Sequence, residues 1–465
     1  MKKKLLAVGI AAALISGAAS AATVNANGVG HINILPYYSV QEGNATLISI
    51  TNTDAVNGKV VKVRFRGAKT SDDVFDFQVF LSPGDVWTGA VTQGEDGIAK
   101  MSTSDNSCTL PANVNQSFVT ARLQDAEKAT GTREGYVEVI NMGDIAPTNA
   151  LFTAVKHVNG VAPCTSSVLV GSDPLVPADL TSLMSVPTGT LTSYAVVIDV
   201  DSSKAFTVPA TAVSPAAAPG VKYWRQANIP VAYSTTLTAD RVFDPAGGNV
   251  KMYEYDLPDL STPYGDGVDA FAQRDAVTAA LAKGSVITEF VTDESVNATT
   301  DVVLSQPTRR YYYTWLDVPS ASTDPLLTLA TVNGADGVYA SLNAANNTVA
   351  VGAPSFTDRE EGVIANPTSI VISPNPQPQA AIWTIQGEVA VIAINNGATP
   401  TGSLGASLTA QDYSTAFTDG WVRLSTTTAT GAQQLPVIGF SAINVFNNGV
   451  GAAGTNYGLT LPLRW

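Results

Sequence analysis

The sequence predicts an all-β chain of β-sandwich-like domains with one short helix in the second half. Three observations carry that prediction. Apolar residues recur with a period of two, the spacing that sends alternate side chains to opposite faces of a strand. The alternating stretches are separated by Gly, Pro, Asn and Thr, which turn the chain. The composition, 45% hydrophobic and only 14% charged over 465 residues, demands a buried core instead of a self-repelling disordered chain. No heptad block, Gly-X-Y period or internal repeat of roughly twenty to fifty residues is present, which argues against coiled coil, collagen and solenoid.

The elements follow in order. Thr46 to Asn52 (TLISITN) reads as a strand closed by an Asn that caps a turn. In GKVVKVRFRGAK, Val61, Val63 and Phe65 alternate with Lys62, Arg64 and Arg66, so the spacing predicts a half-buried strand. Its basic side is either a solvated sheet face or a contact surface. Phe75, Phe77, Val79 and Leu81 alternate with Asp76, Gln78 and Phe80, and SPGD at Ser82 to Asp85 turns the chain before Val86-Trp87. Gly135 to Asn141, Tyr194 to Val200, Ala205 to Val208, Val286 to Val291 and Tyr311 to Val318 continue the strand signal. So do Trp383 to Ile385, Glu388 to Ile394, Trp421 to Leu424 and Leu435 to Phe446. Several of these are continuous apolar runs, as strands buried on both faces require. Asp269 to Lys283 is the helical pattern, with an Asp start, an Ala-rich body, a Lys in the last turn and Gly284 as the stop.

Organisation is read from the breakers. Val213 to Gly220 (VSPAAAPG) is expected to be a joint. It separates an N-terminal β-sandwich domain at 22–215 from a C-terminal mostly β domain at 221–465, with the helix near 269–283. Ser373 to Gln379 reads as a loop inside the second domain. Residues 1–21 are expected to be a signal peptide: Met1 to Lys4 are cationic, Leu5 to Ile15 form a short apolar run, and Ala19-Ser20-Ala21 supplies the small residues for cleavage after Ala21. The apolar run is short for a transmembrane anchor, and no later run is long enough to span a bilayer as a helix. The chain is therefore expected to be exported. Three lysines and no acid leave with residues 1–21, taking the net charge from −14 to −17. Such an anion repels nucleic acid. Export through an oxidising compartment predicts a disulfide between Cys108 and Cys164, the only cysteines.

Residues for chemistry are scarce. His31 and His157 stand in no metal spacing and read as hydrogen-bonded structural histidines. Hydrolase and nucleotide-loop motifs are absent. Gly449 to Gly454 matches G-x-G-x-x-G, yet lacks the following helix and distal acid that give the fingerprint its mechanism, so it reads as a surface loop. Asp256, Asp259, Asp266 and Asp269 form the best acidic loop cluster. They are candidate ligands for a structural calcium ion, although ordinary turns use the same residues. Tyr457, Leu459, Leu461, Leu463 and Trp465 alternate in a manner similar to the terminal insertion signal of outer-membrane β-barrels, with Pro462 interrupting it.

Val60 to Trp87 (VVKVRFRGAKTSDDVFDFQVFLSPGDVW) resembles exported proteins of Gram-negative bacteria described as cell-surface or surface-layer-like proteins, some tied to sheaths around outer-membrane vesicles. Gly30 to Thr53, Asp275 to Phe290 and the GWVRL and LPVIGFSAINVFNNG stretches extend the resemblance over nearly the whole mature chain. It implies an extracellular structural role with no catalytic signature to carry over. The leading expectation is a non-enzymatic cell-surface protein that self-assembles into a surface layer or sheath and contacts the outer cell surface. Lys62, Arg64 and Arg66 would then meet acidic loops of a neighbouring copy. The alternatives are an outer-membrane β-barrel and a secreted adhesin or glycan-binding protein stacking sugars on Trp87, Tyr223, Trp224 or Tyr311 to Tyr313. An exported enzyme stays open through paired carboxylates such as Asp72 and Asp73.

Overall fold

Alternation became sheet wherever a covering layer was available for the apolar face. The computed structural model describes residues 22–120, 123, 125–170, 178–215, 219–226, 257–265, 268, 270–318, 326–332, 337–343, 346–364, 383–395, 402–431, 433–449 and 454–465. Strands account for 48% of the described residues and helix for 11%, so the all-β class holds. The expected leader, the Ser373 to Gln379 loop and Asp256, Asp266 and Asp269 lie outside the described residues.

The first half is a two-layer sandwich of twelve strands. They are β1 (Thr23–Asn25), β2 (Ile32–Ser39), β3 (Asn44–Asn52), β4 (Gly58–Gly67), β5 (Asp73–Leu81), β6 (Val86–Gln93), β7 (Ala99–Ser102), β8 (Cys108–Leu110), β9 (Glu134–Ile145), β10 (Leu191–Asp199), β11 (Lys204–Pro209) and β12 (Thr211–Ser214). One sheet runs β1-β12-β2-β9-β4-β5-β8 and the other β11-β10-β3-β6-β7. Val61, Val63 and Phe65 of β4 point between the layers and share one buried cluster with Ile48, Ile50 and Trp87 of the facing sheet. Each such side chain contributes about 1.5–3 kcal/mol. The SPGD turn lies between β5 and β6 and switches sheets. Asp85 Oδ2 accepts from the Ser82 amide at 3.0 Å, and Gly84 takes φ +71°, where a side chain would be strained.

Cys108 and Cys164 are bonded, with Cα atoms 5.4 Å apart across a separation of 56 residues. The bond ties edge strand β8 to the segment following the short helix Ala150–Val155, whose Leu151, Phe152 and Val155 pack on Val60, Phe80 and Met142. This helix and Ser166–Leu169 were not expected from the sequence: at 6 and 4 residues they are too short for a helical period. Replacing both cysteines by serine is expected to cost about 4 kcal/mol through the freed chain entropy, read as a lower urea midpoint.

In the second half, the sheet order is Ala410–Ser414, Val389–Asn395, Thr299–Ser305, Ile438–Asn447, Thr455–Pro462. A second sheet begins with Ser285–Val291 and Asp419–Ser425. Val286, Phe290, Val302, Leu304, Ile392 and Val422 belong to one buried cluster formed by these strands. The helix occupies Ala270–Leu281 and buries Val277 and Leu281. The stretch expected as a strand from Tyr311 starts as one at Tyr313, after a helical turn at Arg309–Tyr312. The larger sheets are open, and Thr455–Pro462 is an edge strand paired with Ile438–Asn447.

The joint expected at Val213 to Gly220 begins inside a paired strand, since β12 is bonded to both β1 and β2. The buried cluster of the first half continues through Val303, Val389, Ile438 and Phe440 of the second, and Tyr37 meets Phe440 with ring centroids 6.4 Å apart. Apolar packing thus crosses the junction.

Candidate functional site

The basic side of β4 is neither solvated nor available to a neighbouring copy. Lys62, Arg64 and Arg66 are at most 1% exposed. The alternation separated two faces correctly, but the second is covered by Gly220–Gln226, Leu257–Gly265 and Pro307–Tyr311, residues far along the chain. Arg64 Nη1 lies 2.8 Å from Asp73 Oδ2, and Arg66 Nε lies 3.4 Å from Glu138 Oε1 with Asp259 Oδ2 at 3.8 Å from Nη2. Lys62 pairs with Asp76 and donates to Gln226 Oε1 at 2.6 Å. Lys59, one strand position from the sheet end, pairs with Asp144 at 2.8 Å. Arg66 and Arg310 both donate to the Ser71 carbonyl, and the Tyr136 hydroxyl donates to the Pro307 carbonyl at 3.2 Å. Burial raises the Glu138 carboxyl, with Arg66 and Arg64 opposing that rise. The result is a buried ion-pair layer joining the two halves. Asp72 and Asp73, the paired carboxylates noted in the sequence, belong to it and are buried.

Two further carboxyls sit in the same seam, and the sequence reading missed them. Asp301, in Thr299–Ser305, accepts the Leu404 amide at 2.7 Å, and burial pushes it up to about 7. Glu388 lies 3.8 Å from Arg309 Nε, and burial pushes it also to about 7, with Arg309 and Arg310 opposing. Glu134 closes the seam by accepting the amides of Ser407 at 3.0 Å and Leu408 at 2.8 Å. The available signal was an acid inside or directly before an apolar run, in TTDVVLS and in GEVAVIAI.

His157 is not isolated. Its Nδ1 lies 2.9 Å from Ser82 Oγ and 3.3 Å from Asp85 Oδ2, so a serine, a histidine and an aspartate meet at the SPGD turn. A nucleophile relay needs the hydroxyl and the carboxylate on opposite ring nitrogens. Here both face the same nitrogen, and Asp85 also accepts from Ser82 N and Ser107 Oγ. The cluster fastens the turn. His31 packs edge-on to Tyr264 at 6.2 Å, and burial lowers its pKa.

Asp259, the described member of the calcium candidates, is buried and turned inward. Its Oδ1 accepts from Ser261 N at 2.9 Å, Ser261 Oγ at 2.7 Å and Thr262 Oγ1 at 3.2 Å, while Oδ2 faces Arg66. Among the described residues no group of three or more His, Cys, Asp or Glu is arranged to hold a metal. Trp87, Tyr223, Tyr311 and Tyr312 are buried core, which removes them as sugar-stacking platforms, and Trp224 is half-buried. Gly449 and Gly454 flank a hairpin between two antiparallel strands, so no helix follows that glycine pattern.

Among the described residues, two surfaces expose clustered apolar side chains. The first is a groove of about 870 Å³ lined by the four- and five-stranded sheets of the second half, beside the Ile287 to Arg464 bridge. Ile287, Val445, Tyr457, Leu459 and Leu461 line it. Arg359 and Asp419 pair at its rim, which holds Asp419 below the usual carboxylate range. The second is the outer face of the β11-β10-β3-β6-β7 sheet, where apolar and hydroxyl side chains mix. Cross-strand register sets Thr207, Val196, Leu47, Ala90 and Ser102 in one row and Pro209, Tyr194, Ser49 and Thr88 in the next. Comparison with protein-family models, with curated proteins and with solved structures finds no match for this chain.

Proposed function

We propose that this chain is a non-enzymatic structural protein of the bacterial cell surface, exported and assembled from copies of itself into a layer or sheath. The observation that carries the reading is where the chain puts its charged groups. The cations of the alternating β4 stretch lie inside, paired with acids between the two halves. Stiff, broad sheet walls remain outside. A wall-building protein needs a rigid body and extended contact faces more than a deep pocket with a pretuned acid and base. The acidic balance favours solubility during export.

Expression with residues 1–21 in a Gram-negative host tests the localisation. The chain is expected at the outer surface and in the medium, shortened to begin at Ala22. Full-length chain retained in the cytosol would contradict export.

A further inference from the structure

The geometry points to the outer face of the β11-β10-β3-β6-β7 sheet as the contact between two copies of this chain, packed face to face. This deepens the self-assembly reading and rests on it. Leu47 is 42% exposed, Val86 43% and Tyr194 53%, and the register makes Val196, Leu47 and Ala90 neighbours across three strands. Single exposed apolar side chains are ordinary on any protein, whereas a contiguous set on one sheet marks an interaction face.

Charge selects the occupant. The chain carries a net charge of −14, so two copies repel over most orientations. Of the outward positions on these five strands only Lys100 is charged, at the β7 edge, and none is a carboxylate. Two copies meeting here set no acid against acid, whereas a cationic partner would find more attraction at the acidic loops. Area is sufficient too. Five strands spaced about 4.8 Å apart, averaging about seven residues at about 3.4 Å each, present roughly 600 Å². Two such faces bury about 1,200 Å², the lower end of specific interfaces. A two-fold axis closes this contact, so it makes a dimeric building block.

Sedimentation equilibrium of the purified chain tests this, with Leu47→Glu and Tyr194→Glu as exposed variants that leave the core intact. The wild type is expected to dimerise, and each variant to raise Kd at least about 100-fold by burying an unpaired carboxylate on both copies. Melting temperatures should agree within about 2 °C. Raising salt from about 0.02 M to about 0.5 M should tighten the wild-type dimer, because screening relieves repulsion. Equal Kd values for wild type and variants, or association abolished by Leu459→Glu in the groove and by neither of these, would overturn this face alone. A wild type monomeric at every concentration would overturn the self-assembly reading with it.

Discussion

Replacing Arg66 with methionine is expected to destabilise the protein by about 3–5 kcal/mol, far more than a surface arginine would. Arg66 is fully buried, 3.4 Å from Glu138 and 3.8 Å from Asp259, and donates to the Ser71 carbonyl at 3.3 Å. Its removal takes the nearest cation from Glu138, leaving Arg64 and Arg310 to face it, and removes the guanidinium paired with Asp259. The double variant Arg66→Met/Glu138→Met should recover much of the loss, since an apolar pair of similar volume avoids desolvating either charge. Urea unfolding of the four proteins in this cycle gives the coupling directly. A single-variant cost below about 1 kcal/mol would instead fit a solvated basic face.

Stability is expected to fall as pH rises from about 5 to about 8. Asp301 and Glu388 are each raised to about 7 by burial, from 3.8 and 4.5. Asp412 and Glu134 add to the rise at Asp301, which the Leu404 amide and Lys204 oppose. Arg309, Arg310, Arg66 and Ser71 oppose the rise at Glu388. In the unfolded chain both ionise near their ordinary values. Between those values and about 7 the folded chain holds protons that the unfolded chain has released, so the stability these groups confer is fully present below about pH 4 and is lost as pH climbs to about 7. The full effect is on the order of 3–4 kcal/mol for each group. Asp301→Asn should raise the melting temperature at pH 8, change little near pH 4, and remove about half the slope. A melting temperature that is flat or rising over this range would contradict the assignment.

What the sequence revealed and what it hid divide along physical lines. Alternation in Val61–Phe65, Phe75–Leu81 and Tyr194–Asp199 located strands because one side of each faces a core, and a period of two records that directly. Two cysteines in a chain expected to be exported left a single bond to expect, and it is present. The burial of Lys62, Arg64 and Arg66 was invisible because alternation states that two faces differ, not what covers the second. Their partners Gln226 and Asp259 lie over 150 residues downstream. The meeting of Ser82, Asp85 and His157 was hidden for the same reason, since His157 returns to the turn across 75 residues. Glu388 looked like the opening residue of a strand and Asp301 stood in a stretch left unassigned; burial in the seam between the halves sets the titration of both.

The most direct measurement of the central claim is electron microscopy of the purified chain over a range of concentrations and salt. Ordered sheets or tubes built from face-to-face pairs are expected, lost in Leu47→Glu. Discrete single copies under every condition would contradict it.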